Sequence, residues 1–432
     1  MKNHKTIRTI ALIIPLLITL GFWVWAKIDM GMSIFNTDLA AKYIGQITAL
    51  FAITLFSLTF LVSARYKWIE KVFGGLDKVY KYHGTISRWG FVFMLAHPIL
   101  LAGSFMFSAS TLQRYFIPFV SSDVTLMFGI IAWYLFITLI FITVFRLIPY
   151  HIWKRTHQLM GLAYGFGLYH AFFMYSDVRG FLPMTIFVGV LGVIGVGSYV
   201  YKVFLYNWIG PKYEYKIVEQ NKRNDLVYDL ILEPASKKMK FKAGEFVFMT
   251  VRGNKSVGKE HHPFSISSDP KDANIRLSYK VLGDYTKKLV NAKIGDKVFL
   301  YGPYGEFNTG NFSKYKNQVW ISGGIGITPF LSMLKTVDGM NVKFINSNKS
   351  EDDFVYEDEI KQKSDLIDYW HYVSDNEGYL NAEKVLDFVG DLKDDVVFLF
   401  CGPKGMMHAL KKQLAEKGVS PKKIIFEDFS LV

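Results

Sequence analysis

The 432-residue sequence has a single cysteine, Cys401, so no disulfide can form within the chain, and cysteine usage gives no sign of an exported soluble domain. It contains no internal repeat and no low-complexity tract. No loop has the acidic and glycine spacing of an EF-hand, which argues against built-in calcium control. The most informative shortage is of charge along the first half. Six stretches carry no Asp, Glu, Lys or Arg: 9–26, 43–64, 89–113, 124–145, 158–176 and 180–201. Each is close to the ~20 helical residues that cross a hydrocarbon core, and six in succession are hard to bury in a water-soluble fold.

What is present is basic and apolar together. Hydrophobic residues make up 51%, aromatics 16%, and the net charge is +13. Such a balance points to nucleic acid or to an anionic membrane surface, and the apolar runs select the membrane because the basic residues flank them. The basic start (Lys2, Lys5, Arg8) and the run after it resemble a secretory signal, but no small-residue cleavage site follows Trp23 to Trp25, so an uncleaved anchor is expected. With the N-terminus inside, the inner segments hold Lys2, Lys5, Arg8, Arg65, Lys67, Lys71, Lys78, Lys81, Arg88, Arg146, Lys154 and Arg155. The outer ones hold only Lys27, Lys42, Arg114 and Arg179. The bias places both termini in the cytoplasm of a multi-pass plasma-membrane protein.

Histidines at membrane depth are costly and usually functional. His83 and His97, in and just before the third run, are fourteen residues apart; His157 and His170, around the fifth, are thirteen apart. Fourteen helical residues span roughly 21 Å and return to within about 40° of the same face. Co-directional helices carrying such pairs can hold two stacked haems, His83 with His157 towards the inside and His97 with His170 towards the outside, since neutral imidazole suits iron. Thirteen residues leave an ideal helix about 140° out of phase, so the fifth run needs a bend or local unwinding, for which Gly161, Gly165 and Gly167 are candidates. The alternative for any one histidine is a hydrogen bond in a helix interface. Arg88, Lys154 and Arg155 are either haem-propionate partners or ordinary inside anchors. Phe91, Met94 and Tyr164 fall between the two levels, while His151 has no mate and reads as interfacial.

After Lys202 and the Gly210-Pro211 punctuation the pattern changes to short alternating strands such as 245–251 and 297–301, and from about Gln318 to strand, Gly-rich turn, helix. This predicts an antiparallel barrel followed by a parallel α/β domain. His262, Pro263, Phe264 and Ser265 can wall a flavin and place a hydroxyl near its reactive nitrogen, or form a plain strand end. Lys280, Gly283 and Thr286, at the start of a helix, offer a cation and N–H groups to a pyrophosphate. Gly302 and Gly305 in Gly-Pro-Tyr-Gly serve the flavin or a simple hairpin. Gly323, Gly324, Gly326, Thr328 and Pro329 lie between an apolar strand and a helix, the setting of a dinucleotide pyrophosphate site. Cys401, Gly402 and Pro403 follow a second such strand, with Cys401 beside the nicotinamide or simply a buried thiol. Ser347 and Lys349 close the strand 342–345 without an acid before Glu351, which favours NADPH over NADH.

Taken together, these segments in this order resemble the NADPH oxidase and ferric reductase superfamily in its compact bacterial form. The resemblance implies a multidomain membrane protein: a six-helix transmembrane haem bundle over residues 1–209, an antiparallel β-barrel FAD domain over 210–312 and an α/β parallel-sheet nucleotide-binding domain over 313–432. It implies hydride transfer from NADPH to FAD, with Ser265 and Cys401 at the reacting rings, then electron transfer through two b-type haems to dioxygen or a ferric chelate. Phe429 matches the near-terminal aromatic that covers the flavin in this family. The expected partners are the bilayer and a small-molecule acceptor, with no nucleic acid and no obligatory protein subunit. A haem subunit that donates electrons to a partner protein is the alternative, against which the fused reductase speaks.

Overall fold

In a computed structural model the structure describes residues 4–106, 108–145, 147–391 and 395–426. The chain divides into two compact units, Met1–Gly74 with Lys78–Trp208, and Gly75–Asp77 with Ile209–Val432.

The first unit is helical. Among the described residues five helical segments are long and apolar enough to cross a membrane: Thr6–Asp29, Thr37–Ser63, Leu76–Gly103, Val124–Phe145 and Leu182–Ile209. Their outward faces carry exposed Leu17, Ile28, Val144, Ile186 and Val193, apolar surface of the kind that hydrocarbon, not water, accommodates. The remaining expected run is helical in two pieces, Tyr150–Gln158 and Met160–Phe173, separated at Leu159. The third span departs from the expected 89–113. It begins at Leu76 and ends at Gly103, because a helix continues through charged residues at its end, where Lys78, Lys81 and Arg88 can reach polar surroundings. That shift takes His83 and His97 into one continuous helix. A buried ion pair, Lys27 Nζ to Asp177 Oδ1 at 2.7 Å, ties the first span to the segment after the fifth. Lys27 also lies over Trp23 and Tyr43, so this lysine, counted among the outer basic residues, is buried.

The second unit opens with six antiparallel strands, β1 (Lys212–Lys222), β2 (Val227–Pro234), β3 (Phe246–Arg252), β4 (His262–Ser265), β5 (Ile275–Lys280) and β6 (Lys297–Tyr304). They lie in the order β4-β3-β6-β1-β2-β5, and a bridge from Ile266 to Leu277 joins the two ends into a barrel. The inward alternation of Tyr215, Ile217, Leu230, Leu232, Val247, Met249 and Val251 fills it. Each such side chain adds about 1.5–3 kcal/mol on burial.

Five parallel strands follow: β7 (Asn317–Gly323), β8 (Asn341–Asn348), β9 (Ile367–Val373), β10 (Val397–Cys401) and β11 (Ile424–Phe426), ordered β11-β10-β7-β8-β9. Strands apolar on both faces require cover on both. Thr328–Met333 supplies Phe330, Leu331 and Met333 to one side, and Lys404–Glu416 supplies Met407, Leu410 and Leu414 to the other. The chain leaves β7 towards β8 and later returns to β10 on its opposite flank. The strand order therefore reverses between β7 and β10, where open α/β sheets bind their ligands.

Candidate functional site

The two histidine pairs come together within the first unit. The ring centres of His83 and His157 are 6.4 Å apart, and those of His97 and His170 are also 6.4 Å apart. Two imidazole nitrogens on opposite sides of one metal, each at ~2 Å with ~1.2 Å more to its ring centre, give a separation of about 6.4 Å. The tautomers agree with that use. His97 Nδ1 donates to the Gly45 carbonyl at 2.8 Å, His170 Nδ1 to Thr125 at 2.9 Å and His83 Nδ1 to Thr59 at 3.2 Å. His157 Nδ1 lies 3.4 Å from Thr143 Oγ1. That hydroxyl already donates to Leu139 and receives the Trp153 indole N–H, so it accepts from His157. Every Nδ1 is thus a donor, and every Nε2 keeps its lone pair for a metal.

Local sequence makes this approach possible. Leu159 N–H reaches Thr156 and Leu162 N–H reaches Leu159, each a bond to the third residue back. Each residue in so tight a turn rotates roughly 20° further than in an α-helix, which turns His170 back towards the third span. Gly129 faces His170 closely: a Cβ there would stand 2.6 Å from Nδ1. A cavity of about 300 Å³ adjoins His97 and His170, lined by Met94, Phe56, Phe136, Leu101, Trp133 and Tyr164. Porphyrin supplies four nitrogens of its own, so two imidazoles per iron suffice and the residues present fit two haems. Of the suggested propionate partners, Arg88 turns its Nε onto the Gly84 carbonyl at 3.0 Å. Met94 and Tyr164 line the outer cavity, and Phe91 is half-buried.

In the barrel His262, Pro263, Phe264 and Ser265 form β4, paired to β3 from Met249 to Phe246, with Phe264 and Ser265 buried. The His262 ring stacks on Tyr285 at 3.8 Å, and its Nε2 meets Glu260 at 3.0 Å. Gly302 belongs to β6, which runs on through Tyr304 opposite Phe246, and Gly305 follows directly. Thr286 Oγ1 accepts from the N–H groups of Leu282 and Gly283 and closes its own turn. Lys280 Nζ points to Asp353 at 3.4 Å, across to the nucleotide half.

The two nucleotide loops meet at the reversal point. Cys401 stands beside Ser322 in the β10–β7 register. A Cβ on Gly326 would overlap the Cys401 carbonyl, so only glycine lets the turn 323–326 press against 401–403. Thr328 and Pro329 begin the helix behind it. Cys401 is 3% exposed, Ser347 is buried at the end of β8, and Lys349 is exposed. Phe429 lies outside the described residues.

The residues missed from sequence are the partners of these groups: the carbonyls of Gly45, Thr59 and Thr125, the hydroxyl of Thr143, and a set of polar side chains between barrel and sheet centred on Tyr356. Backbone carbonyls leave no signal in a sequence. Tyr285 did leave one, as the aromatic inside Gly-Asp-Tyr-Thr.

Comparison with known proteins agrees with this division. The sequence matches a ferric reductase like transmembrane component over residues 48–168, an FAD-binding domain over 213–308 and an oxidoreductase NAD-binding domain over 320–412. The chain belongs to the ferric reductase and NADPH oxidase-like proteins, in which that transmembrane component is fused to the two nucleotide-binding domains. It is 32% identical over 185 residues to flavohemoprotein A of Dictyostelium discoideum, covering 38% of this chain and 46% of that one, so it spans less than half of that relative. It is 30% identical over 216 residues to the electron transfer subunit of dihydroorotate dehydrogenase B (NAD(+)) from Listeria innocua, covering 47% of this chain and 79% of that subunit. A flavohemoglobin from Malassezia yamatoensis, solved with FAD and heme, aligns with 77% of this chain and 93% of its own at 18% identity and a TM-score of 0.49.

Proposed function

We propose that this protein moves electrons from cytoplasmic NADPH through FAD and two b-type haems across the plasma membrane to dioxygen, giving superoxide. The observation that carries the reading is the pair of histidine contacts, both at 6.4 Å and both with Nε2 left free. FAD, when bound, takes two electrons as a hydride and releases them singly, and haem iron carries them one at a time.

The chain's own residues bind and orient. Phe264 and Ser265 wall the flavin; the turns 323–326 and 401–403 bring backbone N–H groups to the nucleotide phosphates and Cys401 towards the nicotinamide. Lys349 is the cation for a ribose 2′-phosphate. Of the acids that follow, Asp353 faces Lys280 at 3.4 Å. The largely apolar cavity at His97 and His170 suits the porphyrin of the outer haem, and a small neutral acceptor such as dioxygen needs only to reach the edge of that haem. The family description supports a second reading, reduction of a ferric chelate by the same outer haem.

A haem spectrum of the purified protein tests the proposal. Low-spin bis-histidine bands should sharpen and shift on adding NADPH under argon. A preparation with full FAD occupancy and no haem, or haem that NADPH leaves oxidised, would sink it.

A further inference from the structure

We infer that Tyr356 is a positioning residue, which through Asp229 fixes the nucleotide-binding half against the flavin barrel in the register hydride transfer needs. This rests on the functional reading above.

The Tyr356 hydroxyl donates to Asp229 Oδ1 at 2.6 Å. Ser278 Oγ donates to the same oxygen at 2.6 Å, and Arg223 Nε to Oδ2 at 2.6 Å. Asp229 is fully buried and Tyr356 is 2% exposed. Burial and the adjoining carboxylate push the Tyr356 hydroxyl far above its ordinary pKa, so it remains a donor. Arg223 and Arg276 both lie over its ring, at 5.5 and 5.7 Å. In the short helix that Tyr356 precedes, Glu359 receives Arg276 through two bonds of 2.7 and 2.9 Å, while Arg276 also holds the Ser267 carbonyl at 3.0 Å. Ser332, behind the Gly-rich turn, donates to the Ser268 carbonyl at 2.6 Å.

Three features point to register rather than general adhesion. The ion pair that joins the halves, Arg276 with Glu359, is only partly buried, and such pairs add little net stability, so its role is better sought in specifying one arrangement among several. The contacts are short, charge-assisted and directional, so a shift of an ångström breaks them together. Tyr356 also lines a recess with Gly324, Ile325 and Lys280, which are parts of the nucleotide turn and of the flavin segment. The transfer so positioned moves a hydride, one proton with two electrons, from the reduced nucleotide, which is oxidised, to FAD, which is reduced.

Stopped-flow flavin reduction by NADPH under argon tests this on the full-length protein, with ordinary and 4-deuterated nucleotide and the variants Tyr356→Phe and Glu359→Gln. Both variants should keep FAD and bind nucleotide within about twofold of wild type. Their limiting rate of flavin reduction should fall about tenfold or more, as expected for a misplaced reacting pair, and the isotope effect should change. Unchanged rate and isotope effect in both variants would overturn the inference. So would a loss confined to nucleotide affinity, which would mark a binding contact, or loss of FAD from both, which would mark a barrel-building role. If wild-type flavin is reduced by neither NADPH nor NADH, the functional reading itself fails; normal wild-type reduction with unaltered variants defeats this inference alone.

Discussion

A methyl group on Gly129 would stand 2.6 Å from Nδ1 of His170, the atom that donates to Thr125. Gly129→Ala therefore has to push the imidazole off its acceptor, and the outer haem should be lost in part. His97→Ala and His170→Ala should lose it fully, each halving the haem-to-FAD ratio while leaving flavin content unchanged. A pyridine haemochrome assay beside flavin fluorescence measures both, and a ratio equal to wild type in both histidine variants would remove these residues as ligands. At this scale the pairing of the histidines was readable from spacing and the groups that support them were not. His97 and His170 find their acceptors 52 and 45 residues away in the chain, and main-chain oxygens have no side-chain identity to read.

Among the elements, the fifth uncharged run shows how far periodicity reaches. Two histidines thirteen residues apart do not share a face of an ideal helix, yet both rings meet the third span at the same separation. The sequence suggested glycines as the site of adjustment; the structure places the break at Leu159, ahead of Gly161, with hydrogen bonds to the third residue on either side. A rule based on uncharged runs also misjudged the third span, since a helix end carrying Lys78, Lys81 and Arg88 looks like a loop when only charge is counted. The break makes a definite prediction. One alanine inserted between Leu159 and Met160 should rotate His170 by roughly 100° relative to His157. The outer haem should disappear while the inner one stays, so the haem-to-FAD ratio should again halve. Retention of both haems would show that the two pieces turn independently of this register.

For the whole molecule, the placement of the second unit's motifs was legible because each is a short run beside one strand, as with 323–329 after β7 and 401–403 after β10. What joins its two halves was not, because Asp229 and Tyr356 are 127 residues apart and Arg276 and Glu359 are 83 apart. The acceptor is a property of the whole molecule, since under the proposed function an electron leaving the outer haem can meet either dioxygen or a ferric chelate. The outer cavity beside His97 and His170 is lined mainly by apolar groups, as the haem itself would need, and on the reading proposed above the acceptor that meets that haem is dioxygen. In membranes given NADPH, cytochrome c reduction should therefore be abolished by superoxide dismutase, and ferric-chelate reduction under argon should be the slower reaction. It should also disappear in His97→Ala and His170→Ala, while reduction of the flavin by NADPH persists. Dismutase-insensitive cytochrome c reduction, fast anaerobic ferric reduction and no superoxide by a second probe would together make the chain a ferric reductase instead.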